Sequence, residues 1–125
     1  MRLLLDTHVF LWAVMGSPLL KTASRKTIEA ADRVYVSSAS VWEVAIKRRL
    51  GKIDADADDI LAAIDASGFV ELPVSGLHAA FVAQLPLHHR DPFDRILVAQ
   101  SITEPLRLMT ADAALAPYGE TLLMI

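Results

Sequence analysis

The chain predicts an α/β sandwich around a mainly parallel sheet, and three features of its 125 residues carry that prediction. Short apolar runs alternate with longer stretches of helical spacing, the pattern of strands joined by helical crossovers. The first run, Arg2–Leu5 (RLLL), is continuous rather than alternating, as suits a strand covered on both faces. No repeat, low-complexity tract or linker interrupts the series, so one domain is expected over residues 1–125.

After the first strand a helix is expected over Val9–Met15, stopped by Gly16, Ser17 and Pro18, then a second over Leu20–Ala31. Arg33–Val36 (RVYV) is β-branched and aromatic and reads as the second strand. Trp42, Ala45, Ile46, Arg49 and Leu50 recur at helical spacing within Ser40–Leu50, and Gly51 stands where a left-handed terminal residue belongs. A helix over Asp58–Ser67 closes at Gly68, and Phe69–Leu72 (FVEL) is the third strand. Helices over Gly76–Leu85 and Pro92–Thr103 follow, and Leu106–Met109 and Thr121–Met124 supply the last two strands.

Composition narrows the chemistry. Cysteine is absent, which removes thiolate catalysis, thiolate zinc sites and iron–sulfur ligation and fits a reducing compartment. The longest uninterrupted apolar run, Val9–Met15, is far short of the roughly 20 residues of a membrane span, so a cytoplasmic protein without a membrane is expected. A formal charge of −3 does not advertise a basic nucleic-acid binder, although carboxylates that hold cations reverse their own local sign. Hydrophobic content of 54% is high for a small domain and points to apolar surface that meets another chain.

Ligands of open α/β sheets bind at the carboxyl ends of the strands, and acids stand there repeatedly. Asp6 follows the first strand, where it also suits a helix N-cap. Glu43 follows the second; with Ser40 it spells a capping box, S-x-x-E, and Lys47 lies one turn on as an ion-pair partner. Asp91 precedes Pro92, the pattern of an N-cap before an N1 proline, and Asp94 then falls in the first turn, where the helix dipole favours a carboxylate. Asp112 follows another strand, with Thr110 as a cap for its turn. A cap explains each acid alone, but four such acids at strand ends are better explained by one cause. Converging carboxylates repel unless cations neutralise them, and oxygen-only ligands select Mg2+ or Mn2+. Cations so held activate water for phosphodiester hydrolysis.

These segments resemble the PIN-domain ribonucleases, and among them the VapC-type toxins of toxin–antitoxin pairs. LLLDTHVFLW, SSASVWEVAIK, HRDPFDRILVAQ and LMTAD stand in that family's order and together span nearly the whole chain. The resemblance implies a three-layer α/β/α sandwich and endonucleolytic cleavage of RNA by water activated at Mg2+ or Mn2+, without a covalent intermediate. It also implies a homodimer and a cognate antitoxin that covers the site. It makes Asp6, Glu43 and Asp94 the cation-binding acids, with Asp112 as a less uniform fourth and Thr110 as a hydroxyl beside it. Thr7, Ser40 and Asp91 take supporting or capping roles. Lys47, Arg48 and Arg95, with Arg49 and Lys52 nearby, are candidates to meet RNA phosphates.

Two other readings compete. A PIN module without catalysis would bind RNA or a protein partner through the same fold. An aspartate-based phosphatase also places an aspartate after the first strand, but it wants a second one two places later, where His8 stands, and no lysine follows a late strand. Asp54–Asp59 (DADADD) imitates a calcium loop without its glycine and glutamate, and these acids are expected to begin the next helix. His88 and His89 are adjacent and cannot share a helical face, which argues against a histidine metal site; His8 is expected in the core or at the substrate edge.

Overall fold

Consecutive side chains of a strand point to opposite faces of its sheet, so three buried leucines in a row must serve two cores. The computed structural model, which describes residues 1–125, shows this in β1 (Arg2–Leu5). Leu3 and Leu5 enter one apolar cluster and Leu4 the other. On the first face they meet α1 (Thr7–Val14), α2 (Thr22–Ala30), α3 (Ser38–Arg49) and α4 (Ala57–Ala66) through Val9, Phe10, Ile28, Val44, Ile60 and Ile64. On the second face lie α5 (Gly76–Phe81), α6 (Pro92–Thr103) and a 3-10 turn at Ala113–Tyr118, with Leu97, Val98 and Leu115 buried against Leu4 and its neighbours. The result is the expected three-layer arrangement.

The sheet is parallel throughout. With β2 (Arg33–Ser37), β3 (Val70–Leu72), β4 (Arg107–Thr110) and β5 (Leu122–Met124), the order is β3-β2-β1-β4-β5. Leu5 stands opposite Val36 on one side and Met109 on the other, so β1, β2 and β4 end side by side. Chain order reverses across β1, and a crevice opens at such a switch point, outside the carboxyl ends of the strands.

Most expected elements are present, with boundaries moved by caps. α1 starts at Thr7 rather than Val9 because Asp6 Oδ1 accepts the Val9 N–H at 2.8 Å. α3 starts at Ser38 rather than Ser40, since the Ser37 hydroxyl accepts from the Ala39 N–H at 3.0 Å. α4 is capped by Asp56 from within the acidic run, as a helix start rather than a calcium loop. The helix expected to reach Leu85 stops at Phe81 and tightens into a 3-10 turn (Val82–Gln84). Leu85 is extended because Pro86 follows it, and a residue before proline is pushed out of helical conformation. The apolar stripe of α3 faces outward: Trp42, Ile46 and Leu50 are exposed, and the face toward the molecule carries Ala39, Ser40, Glu43 and Val44. No helix is long and apolar enough to cross a membrane.

Candidate active site

Asp6 is the residue at which β1 becomes α1, and this fixes its carboxylate twice. Oδ1 caps α1, and Oδ2 accepts a 2.5 Å hydrogen bond from Thr110 Oγ1 at the end of β4. Only 6% of Asp6 is exposed. Burial raises its pKa above the ordinary carboxylate value, against the Thr110 hydroxyl, the Val9 N–H and the nearby His8, and the charge of Glu43 adds to the rise. His8 itself is exposed and meets the edge of Trp12 rather than the core.

Glu43 projects from the buried face of α3. Its Oε1 accepts from Thr7 Oγ1 at 2.6 Å, its Oε2 accepts from Lys47 Nζ at 2.5 Å, and Ser40 Oγ lies 2.9 Å from the same threonine hydroxyl. One expectation is corrected here. Ser40 is not an N-cap, because the helix begins two residues earlier; it is a buried hydroxyl inside α3 that steadies Thr7. The ammonium of Lys47 forms the ion pair with Glu43 that the sequence spacing suggested. Burial disfavours that charge, but the hydrogen bond and charge of Glu43, with Asp91 and Asp94 nearby, outweigh it and hold Lys47 above its ordinary pKa.

Asp91 and Asp94 divide their work as the Asp–Pro pattern predicts. Asp91 Oδ1 accepts the N–H groups of Phe93 and Asp94, at 2.8 and 3.2 Å, and so caps α6 over Pro92. Asp94 is left facing the crevice. Burial pushes its pKa up to about 6, against the hydrogen bond from His89, with the charges of Asp91 and Glu43 adding to the rise. Asp112 caps the 3-10 turn itself, by accepting from the Ala114 N–H at 3.0 Å. Thr110 is therefore the last residue of β4 rather than a helix cap, and its hydroxyl accepts the Asp112 N–H while donating to Asp6.

One group of three side chains brings its ligand atoms within 4.8 Å of one another: His89, Asp94 and Asp112. His89 Nε2 lies 2.9 Å from Asp94 Oδ2 and 3.9 Å from Asp112 Oδ2. The four acids expected from the sequence do not form one such group. Asp6 and Glu43 border it, each tied to hydroxyls, and Glu43 is near enough to weigh on the charge of both Asp6 and Asp94. Sequence reasoning set His89 aside because it adjoins His88. The informative spacing was instead the five residues from His89 to Asp94, which let a loop before a helix fold back on the first turn.

Arg95 departs from its expected role. Its guanidinium donates to the carbonyls of Val82, Pro86 and His89 and to Tyr118 Oη, at 3.1 to 3.4 Å, and this clamps the loop before α6. Arg48 stays exposed. Beside the acids, Trp42 meets Phe93 edge-on with ring centroids 5.0 Å apart, on a groove of about 500 Å³ that Arg90 also lines.

A family model described as "PIN domain" matches residues 3–120. No curated protein sequence matches. Among solved structures, one titled as VapBC2 from Rickettsia felis bound to a DNA fragment from its promoter superposes with a TM-score of 0.70 at 14% identity, over 100% of this chain and 98% of the other. A toxin–antitoxin complex from Klebsiella pneumoniae gives 0.67 at 18% identity, over 97% and 95%. FitAcB from Neisseria gonorrhoeae gives 0.55 at 19%, over 90% and 88%. At these identities the likeness is one of fold.

Proposed function

The chain belongs to the PIN domain family, and from that premise we propose that it is a Mg2+- or Mn2+-dependent endoribonuclease, the toxin of a type II toxin–antitoxin pair. The observation that carries this reading is the run of contacts joining Asp6 to Thr110, Thr110 to Asp112, and Asp112 through His89 to Asp94, with Glu43 beside it. Burial lifts Asp6 and Asp94 toward their neutral forms, and a cation relieves the same unfavourable charge that a proton would. Carboxylate donors suit Mg2+ or Mn2+. When bound, such cations supply an activated water and stabilise the departing oxygen.

The chain's own residues hold that chemistry in place. Asp6, Glu43, Asp94 and Asp112 are the cation-holding carboxylates. Thr7 and Thr110 fix two of them by hydroxyl donation, and Lys47 limits the repulsion that Glu43 exerts on its neighbours. Asp91 sets the direction of the first turn of α6. The exposed Arg48, with Arg49, Lys52 and the half-buried Lys47 on the same stretch, offers basic side chains to RNA phosphates. In the reaction a water oxygen bonds to the phosphorus of an RNA phosphodiester, the bond to one ribose oxygen breaks, and that oxygen takes up a proton.

The toxin–antitoxin complexes among structures of the same fold support an antitoxin partner, and we read the chain as a homodimer in the cytoplasm. Purified protein is expected to cut single-stranded RNA with Mg2+ or Mn2+. Asp6→Asn and Asp94→Asn abolish cutting while far-UV circular dichroism is retained. Cutting that survives excess chelator removes the metal mechanism, and a folded sample inactive with every cation points to a binding module. Hydrolysis of a small phosphomonoester with RNA left whole points to a phosphatase.

A further inference from the structure

If the acids hold a divalent cation, its donors are not all oxygen. We propose that His89 is a nitrogen ligand of the cation at the Asp94–Asp112 end of the site, and that this biases the site toward Mn2+ over Mg2+. The proposal rests on the cation-site reading above and adds to the acids the histidine that opens the HRDPFDRILVAQ segment.

Three side chains with metal-binding atoms converge here. Nε2 of His89 stands 2.9 Å from Asp94 Oδ2 and 3.9 Å from Asp112 Oδ2, both separations that one cation with bond lengths of about 2.1 Å spans, and the three ligand atoms lie within 4.8 Å of one another. His89 is half-buried, and its position is built rather than incidental. Its N–H donates to Tyr118 Oη at 3.2 Å and its carbonyl accepts from Arg95 at 3.4 Å. Tyr118 in turn donates to the Pro86 carbonyl at 2.8 Å. A loop held at both sides delivers the ring to two carboxylates. Ligation through Nε2 needs the tautomer with its proton on Nδ1, so the contact with Asp94 becomes a shared cation instead of a hydrogen bond.

Imidazole changes the preference of such a site. Mg2+ takes oxygen donors and parts reluctantly with water, whereas divalent transition metals accept nitrogen and bind more tightly along the series that Mn2+ begins. The full-length protein without RNA is therefore titrated with Mn2+ and with Mg2+, and the Mn2+ form is examined by electron spin-echo modulation for coupling to 14N. Wild type is expected to show 14N coupling. His89→Gln is expected to lose it and to bind Mn2+ about tenfold more weakly, with a smaller change for Mg2+. His8, His78 and His88 remain in that variant, so the lost signal belongs to His89. Bound Mn2+ without nitrogen coupling, or coupling that survives the substitution, overturns this inference and leaves the nuclease reading standing. A protein that binds neither cation overturns both.

Discussion

At the scale of single residues, Asp94 shows how a site is held ready at a cost to its scaffold. Its folded pKa of about 6 lies above the ordinary 3.8, so the folded state prefers the protonated group. The stability this contributes is full below about pH 4 and is lost as pH rises through 6. A rise of that size corresponds to roughly 3 kcal/mol, which solvent at the outer face of this half-buried group reduces to about 1–2 kcal/mol. Asp94→Asn is therefore expected to raise the urea midpoint of the metal-free protein at pH 8 and to leave it nearly unchanged at pH 3.5. A midpoint equal to wild type or lower at pH 8 contradicts the account. Asp6 and Asp112 were legible because they follow strands that apolar runs locate, and Asp94 because an Asp–Pro pair marks the helix it opens. His89 was not, because its place depends on a hydroxyl from Tyr118, 29 positions further along.

At the scale of elements, the helix starts decide where the acids point. α6 begins at Pro92 because Asp91 accepts two backbone N–H groups, one of them from Asp94 itself. Asp91→Ala is expected to cost about 1 kcal/mol in denaturant unfolding, and Asp91→Asn, which keeps the accepting oxygen, only a few tenths. Equal losses from the two substitutions would mean that charge, not capping, is what Asp91 provides. The Asp–Pro pair made this cap readable from the sequence. The start of α3 was misplaced because Ser37, Ser38 and Ser40 are all competent caps, and pairing of β2 with β1 and β3 as far as Ser37 is what selects among them. Trp42 and Leu50 showed helical spacing, but spacing gives a face without saying which way it turns. The sheet-facing side of α3 was given to Glu43 and the small residues around it.

At the scale of the molecule, alternation of runs was enough to read an α/β sandwich with a parallel sheet, while the three layers were implied by the family resemblance; β1 is the strand whose continuous apolar run shows cover on both faces. The surplus of apolar residues inferred from composition is also visible: Leu19, Trp42, Leu50, Leu77 and Leu87 are each more than 60% exposed. Whole-chain stability is expected to follow the cation. Mn2+ at a hundred times its dissociation constant adds about 2.7 kcal/mol. That gain, read as a shift in thermal midpoint, shrinks from pH 7.5 to pH 5 as protons compete at Asp94. An undiminished shift at pH 5 would place the cation elsewhere. The Asp6–Thr110 hydrogen bond spans 104 positions and depends on β4 sliding in beside β1. Translation proceeds from the amino end, so a nascent chain carries Asp6 long before it has the Thr110 hydroxyl that fixes it. The acid made first is thus fully oriented only when the strands made last are in place.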